Sequence, residues 1–319
     1  MDAPMSEAPS AGDETVDLAG ITTVIVNWET PDYTARAARA LLEDGLPAEQ
    51  IVIVDNGSKD GSYERLVQEL PDCEVLGIPE NIGYGRAMNL GARARTADSY
   101  LLLNNDAFLH RPGSLRAMVR ALERSGAGIV TPRVLNEDLT LQPTVAALQT
   151  PGVAFVRASG LSRLIPNRWQ PSWSTHWNHD DSREIQAAAG VALLVRQHTW
   201  KQLGGFDERI YFLAEDLDIC LRARQAGWKV WFASDAEFVH LGSGSTASQW
   251  TSPARAEMAA RAEGTMIRRN LHPHSARLSL FFISGGLFAR AGIYKVVGRQ
   301  EASEATRAAL RGVLARPTR

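Results

Sequence analysis

Short apolar runs and longer amphipathic stretches take turns along the first 130 residues. Ile21 to Asn27 (ITTVIVN) is β-branched throughout its middle, and Ile51–Val54, Glu74–Ile78 and Ser99–Leu103 repeat the type. Runs of this length and composition read as buried strands. Between them, Tyr33–Glu43, Ser62–Leu70, Gly85–Thr96 and Leu115–Ser125 carry apolar residues at helical spacing, and Gly128–Val130 begins another strand. Strands alternating with helices predict a mostly parallel sheet covered on both faces. The rhythm then breaks. Residues 140–185 hold Trp169, Trp173, Trp177, His176, His179 and several prolines, which predicts a long irregular segment. Order resumes with a strand over Ala187–Val195, a helix over Leu213–Ala226, a strand over Lys229–Phe232 and a helix over 253–270. No internal repeat is visible.

Composition adds bounds rather than identity. A chain of 319 residues with 45% hydrophobic and 22% charged residues is an ordinary globular protein. A net charge of −2 offers no overall nucleic-acid footprint. Cys73 and Cys220 lie far apart, with neither metal spacing nor a disulfide framework, which fits a reducing compartment. Residues 1–18 are acidic, contain Pro4, Pro9 and Gly12, and lack an apolar core segment; they read as a disordered tail, not a signal peptide. No run reaches the roughly 18 apolar residues of a membrane span; the nearest, Leu278–Val297, is interrupted by Arg290 and Lys295. Basic residues (Arg268, Arg269, Arg277, Arg290, Lys295, Arg299, Arg307, Arg311, Arg316, Arg319) interleave with apolar ones there. An interfacial helix on an anionic bilayer has this pattern, and a buried amphipathic helix or a homodimer contact is the alternative.

One strand end carries chemistry. Leu101-Leu102-Leu103 runs into Asn104-Asn105-Asp106. Ligands of open α/β sheets bind at the carboxyl ends of strands, and Mg²⁺ commonly takes one or two carboxylates together with substrate phosphates. A dinucleotide fold is excluded because the turn after the first strand, Trp28-Glu29-Thr30-Pro31-Asp32, has no glycine through which backbone could approach a pyrophosphate. No Walker-type Gly-Lys-Ser/Thr run occurs either.

Six pieces line up in order: Val24-Ile25-Val26-Asn27-Trp28; Val54-Asp55-Asn56-Gly57-Ser58-Lys59-Asp60-Gly61-Ser62; Asn81-Ile82-Gly83-Tyr84-Gly85-Arg86-Ala87-Met88-Asn89; Leu103-Asn104-Asn105-Asp106; Gly204-Gly205-Phe206-Asp207-Glu208; and Glu215-Asp216-Leu217-Asp218. Together they resemble a family 2 glycosyltransferase of GT-A fold, similar to the bacterial rhamnosyltransferase branch, over about residues 21–270. The resemblance implies a GT-A sheet flanked by helices over residues 19–250, with a nucleotide-binding half to about 130 and an acceptor-binding half beyond it. A C-terminal helical, membrane-associating extension would follow over 251–319.

The resemblance also implies roles. Asp55 would accept a hydrogen bond from a pyrimidine base, and Asn27 and Glu29 would line the nucleoside pocket. Asn81, Gly83, Arg86 and Asn105 would bind the nucleotide-sugar. Asn104-Asn105-Asp106 matches the family's Asp-x-Asp with Asn in first place, leaving Asp106 to hold Mg²⁺ or Mn²⁺ with His240 beside it. Asp216 would be the general base, with Glu215 as the alternative, and Asp207 would orient the acceptor. Residues 242–245 would form a loop closing over the donor. Trp169, Trp173 and Trp177 would stack on sugar, meet lipid or simply pack. His176, His179, Asp180 and Asp181 fit no zinc spacing.

The expected activity is inverting transfer of rhamnose from dTDP-rhamnose, or of a UDP-sugar's glycosyl group, onto a lipid-linked or polysaccharide acceptor in cell-surface glycan synthesis. The expected location is the cytoplasm, at the inner face of the plasma membrane. The rivals are a nucleotidyltransferase, whose glycine-rich basic loop after the first strand is missing, and a glycan- or nucleotide-binding scaffold, for which Asn104 is the one argument.

Overall fold

The computed structural model describes residues 16–161, 177–242 and 252–315. Trp169, Trp173, His176, Ser243, Gly244, Ser245, Arg316 and Arg319 therefore lie outside the described residues. The chain runs β1 (Ile21–Asn27), α1 (Pro31–Glu43), β2 (Ile51–Asn56), α2 (Ser62–Glu69), β3 (Glu74–Ile78), α3 (Tyr84–Ala94), β4 (Ser99–Asn104), β5 (Ala107–Leu109), α4 (Ser114–Ser125), β6 (Ile129–Leu135) and β7 (Val145–Ala146). It continues through α5 (Pro151–Ser159), β8 (Arg183–Ile185), β9 (Ala187–Ala188), β10 (Ala192–Arg196), α6 (Gln197–Leu203), α7 (Glu215–Gln225), β11 (Val230–His240), α8 (Ser252–Asn270), α9 (Pro273–Val296) and α10 (Gln300–Leu314).

Among the described residues the main sheet has the order β3-β2-β1-β4-β10-β6-β11-β5, with β8 also on β11. Its first four strands are parallel, and its second half is mixed, since β10 enters antiparallel between β4 and β6. Side chains alternate across the pleat. Ile21, Ile25, Leu101 and Leu103 face one core with α1 and α4, whereas Val24, Val26 and Leu102 face a second core with α3 and α7.

Three expectations change. Residues 16–18, expected to be part of a disordered tail, are ordered: Leu18 is buried, Val16 packs on the same core, and Leu18 O accepts from Ile21 N–H. An apolar residue just before β1, beside the core that the strand enters, is drawn into it. The single strand expected over Ala187–Val195 is two. Ala187–Ala188 pairs with β7, and Ala192–Arg196 crosses to the main sheet, with Ala189 to Val191 turning between them. The irregular stretch 140–185 contains α5, whose Thr150 side chain accepts from Val153 N–H as an N-cap.

The C-terminal helices form one body with the sheet. Ile210 and Leu221 pack with Met266, Ile267 and Ala276. Gly312 brings α10 against α8 so closely that a Cβ there would meet Glu257 O at 2.1 Å. α9 is long and apolar enough by length and composition to cross a membrane, despite Arg290 and Lys295. Phe281 and Phe288 on it are 70% and 73% exposed.

Candidate active site

A cleft of about 270 Å³ opens where β1, β2 and β4 end. It is lined by Val26, Trp28, Asn56, Asn81, Gly83, Tyr84, Asn104, Asn105 and Asp106 on one side, and by Ala189–Val191, Tyr211–Asp216, His240, Gly242 and Arg255 on the other.

Strand pairing brings Asp106 to His240. β5 runs antiparallel to β11 with Ala107 opposite His240, and Asp106 O accepts from Leu241 N–H at 3.1 Å. His240 Nε2 then lies 3.2 Å from Asp106 Oδ1. Two ligands on adjacent positions of an octahedral ion, each at about 2.1 Å, are about 3 Å apart, so an oxygen and a nitrogen so placed fit one divalent cation. Among the described residues no third His, Cys, Asp or Glu joins them. The neighbouring amides are braces. Asn105 donates to the Thr30 and Thr34 hydroxyls at 2.7 and 3.2 Å, and Asn104 Oδ1 accepts from Tyr84 Oη–H at 2.8 Å. The Tyr84 hydroxyl is held well above its usual pKa by burial and by the charges of Glu215, Asp216 and Asp106.

The carboxylate pair sits on a strained step. Leu213 and Ala214 both have positive φ, 67° and 80°, uncommon for side chains with a Cβ and typical of functional sites. They turn the chain sharply into α7, so that Glu215 and Asp216 face the cleft in its first turn. Asp216 Oδ2 accepts from Gly190 N–H and Oδ1 from Leu217 N–H, both at 2.8 Å. A Cβ on Gly190 would stand 3.1 Å from Asp216 Cβ. Glu215 Oε2 is buried without a hydrogen bond. Burial, then the Asp216 charge, pushes its carboxyl up to about 8. Burial raises Asp216 as well, opposed by the two N–H donors. The pair therefore favours holding a proton, and Glu215, whose Oε2 has no donor, is the carboxyl that keeps it. Asp218 faces away, binding Arg222 at 2.7 Å and Asn270 at 2.5 Å.

Asn81 and Gly83 reach the cleft. Asn81 Oδ1 accepts from Asn56 Nδ2, Gly83 N–H and Tyr211 Oη–H at 3.0–3.1 Å. Gly83 has φ +92°, and a Cβ there would strike Tyr211 O at 2.6 Å. Other expected residues do not line the cleft. Asn27 and Asp55 are buried beneath it, with Asn27 Nδ2 donating to Asp55 Oδ2 at 2.7 Å and Ser58 Oγ donating to the same oxygen. Glu29 N–H donates to Ser58 Oγ. Arg86 donates to Glu208 O on the surface. Asp207 is clasped by Arg209 and Arg269. Trp177 and His179 stack on each other against Phe232, so their part is packing.

Residues 19–263 match the model of "Glycosyltransferase like family 2". The chain belongs to this family. It is 31% identical over 206 residues to an N-acetylglucosaminyl-diphospho-decaprenol L-rhamnosyltransferase of Mycobacterium tuberculosis, covering 60% of this chain and 66% of that protein, just short of two thirds of its length. It is 21% identical over 195 residues to the low-salt glycan biosynthesis hexosyltransferase Agl10 of Haloferax volcanii, covering 60% of this chain and 58% of that one. Among solved structures, the Pyrobaculum calidifontis mannosyltransferase PcManGT, in complex with GDP-Man and Mn²⁺, superposes with a TM-score of 0.55 at 16% identity, covering 92% and 87% of the two chains. GalNAc-T7 with UDP, GalNAc and Mn²⁺ gives 0.55 at 14% identity, covering 88% and 58%. The fold is thus that of GT-A glycosyltransferases.

In this family 2 cleft, sequence reasoning missed Arg255, Gln142 and the Leu213–Ala214 step. Arg255 arrives from α8, 15 positions after His240, and no motif marks it. Gln142 lies in the stretch read as irregular, and its side chain meets His240 Nδ1 at 2.7 Å. Neither carries a signal in a single sequence.

Proposed function

We propose that the protein is an inverting glycosyltransferase, moving a sugar from a nucleotide donor to a lipid-linked acceptor in cell-surface glycan synthesis. The observation that carries the reading is one cleft holding both a cation-type pair, Asp106 and His240, and a carboxylate pair, Glu215 and Asp216. The 31% identical M. tuberculosis L-rhamnosyltransferase favours rhamnose as the sugar, and the expected donor is dTDP-rhamnose, with a UDP-sugar as the second.

Asp106 and His240 would hold Mg²⁺ or Mn²⁺. Such an ion supplies positive charge where the leaving diphosphate becomes more negative. Arg255, with its positive charge in the same cleft, faces the same group. Gly83 lets the backbone after β3 close on the nucleotide, and Asn81 keeps that loop in place. Asp216, oriented by two backbone N–H groups that favour its carboxylate form against burial, takes the proton of the acceptor hydroxyl. The hydroxyl oxygen then bonds to the anomeric carbon from the face opposite the diphosphate, and the carbon–oxygen bond to the diphosphate breaks. No covalent enzyme intermediate is required. Glu215 keeps its proton through this step, so only one carboxylate of the pair competes for the acceptor proton.

Asn104 does not argue for a decayed site, because its side chain is the acceptor that holds the Tyr84 hydroxyl. The exposed apolar residues of α9, flanked by Arg277, Arg290 and Lys295, suit peripheral contact with an anionic inner-membrane surface, where a lipid-linked acceptor would be met.

The test is a donor panel of dTDP-, UDP- and GDP-sugars with Mg²⁺ or Mn²⁺, following nucleoside diphosphate release with and without a polyprenyl-diphosphate-linked N-acetylglucosamine acceptor. Turnover of one donor, abolished by Asp106→Ala and by Asp216→Ala, is expected. Neither turnover nor nucleotide binding with any donor would refute the reading.

A further inference from the structure

The proposed cation site depends on which nitrogen of His240 presents a lone pair to it, and a chain of side chains behind the ring answers this. Gln142 follows the turn after β6, where its N–H donates to Val134 O at 2.9 Å, and Asn136 N–H closes the turn on Thr140 O at 2.8 Å. From there its side chain spans to His240, and Gly242 passes over it; a Cβ on Gly242 would lie 3.3 Å from Gln142 Nε2.

The direction of every hydrogen bond is set from the far end. Asp138 carries an acceptor-only carboxylate, kept below the usual range by the Thr140 hydroxyl and N–H. Thr140 Oγ1 donates to it at 2.6 Å. With its one hydrogen spent, that hydroxyl can only accept from Asn136 Nδ2, at 2.9 Å. Asn136 therefore turns its oxygen to Gln142 Nε2, which donates at 2.9 Å. Gln142 is left with Oε1 toward the ring, 2.7 Å from His240 Nδ1, so Nδ1 must carry the hydrogen. In the neutral ring the lone pair is then on Nε2, facing Asp106 Oδ1 at 3.2 Å. Two acceptors at that distance repel each other unless a metal cation or a proton lies between them.

We propose that Asp138, Thr140, Asn136 and Gln142 form a polar relay that fixes His240 in the Nδ1–H tautomer and so presets Nε2 as a ligand for a divalent cation. The inference rests on the cation reading of Asp106 and His240 and deepens it by assigning the site an outer layer. These are positioning residues, acting through His240.

The experiment measures Mn²⁺ affinity, with UDP or dTDP present and absent, by titration calorimetry and electron paramagnetic resonance. Removing an outer partner of a ligating histidine typically weakens metal binding by about 10–100-fold. Gln142→Leu should do so, while Gln142→Glu, which restores an acceptor for Nδ1–H, should bind within a few-fold of wild type. Gln142→Leu should add nothing on top of His240→Ala. With saturating Mg²⁺, ¹⁵N NMR of the wild-type imidazole should show hydrogen on Nδ1 alone, a readout that does not depend on any variant folding. Unchanged Mn²⁺ affinity in Gln142→Leu, equal loss in Leu and Glu variants, or hydrogen on Nε2 would overturn the relay while leaving the cation site standing. Nucleotide binding by wild type without any Mn²⁺ binding would overturn the cation site and the relay together.

Discussion

Replacing Glu215 by Gln should flatten the protein's response to alkaline pH. Glu215 is buried in the first turn of α7, with Oε2 unpartnered and Asp216 next to it. Burial, followed by the Asp216 charge, moves its carboxyl from the ordinary 4.5 to about 8. Between those values the folded chain binds a proton that the unfolded chain has released, so unfolding free energy must fall as pH rises. The contribution is fully present below about pH 4.5 and is lost as pH passes about 8. The slope approaches about 1.4 kcal/mol per pH unit for one proton. Across the window it reaches about 5 kcal/mol at most, a large share of a domain's stability. Gln has the shape of the protonated acid and does not titrate. The variant should match wild type near pH 5 and exceed it by several kcal/mol near pH 9, with the slope due to Asp216 and Asp218 remaining. Urea unfolding by tryptophan fluorescence from pH 5 to 9, in the presence of a chelator, measures this. Stability curves for the two proteins that stay parallel over the whole range would show that Glu215 does not hold the proton, and the assignment of Asp216 as the ionised partner would lose its basis.

Asp216→Asn should lower kcat by about 10²–10⁴-fold, the usual worth of a general base, with donor KM within a few-fold; an unchanged kcat would move the role to Glu215. Arg255→Ala should weaken nucleoside diphosphate binding by about 10–100-fold, from one lost charge-assisted contact of about 1.5–3 kcal/mol, while nucleoside binding stays unchanged; equal loss for both ligands would place Arg255 away from the diphosphate. Phe281→Glu with Phe288→Glu should abolish co-sedimentation with phosphatidylglycerol vesicles and leave donor hydrolysis in solution unchanged. Retained vesicle binding would assign that face another role.

Two routes lead from the sequence to parts of this site: a physical cause that acts locally, and the resemblance to the family. The run Leu101–Leu103 must be buried, so the polar residues after it fall at a strand end; Asp106 was found for that reason. Glu215 and Asp216 were singled out by the family resemblance, since acidic residues that open a helix are otherwise ordinary capping; both line the cleft. Asp55 and Asn27 show the limit of the same reasoning. Their strand ends are correctly placed, with Asn27 opposite Asp55 in the register of β1 and β2, but the two side chains satisfy each other beneath the cleft and do not line it. What stayed hidden depends on distant partners. Ala187–Val195 looks like one strand because its composition is uniform; only the competition between β7 and the main sheet splits it, and the split is what points Gly190 N–H at Asp216. Gln142 and Arg255 are ordinary polar residues in their own segments. They acquire roles because β6 runs parallel to β11, carrying the turn after it to His240, and because α8 folds back over the sheet ends. Asp106 follows from local pattern and the α7 pair from the family resemblance, whereas the groups that tune them follow from topology, and that is where variants should separate positioning from chemistry.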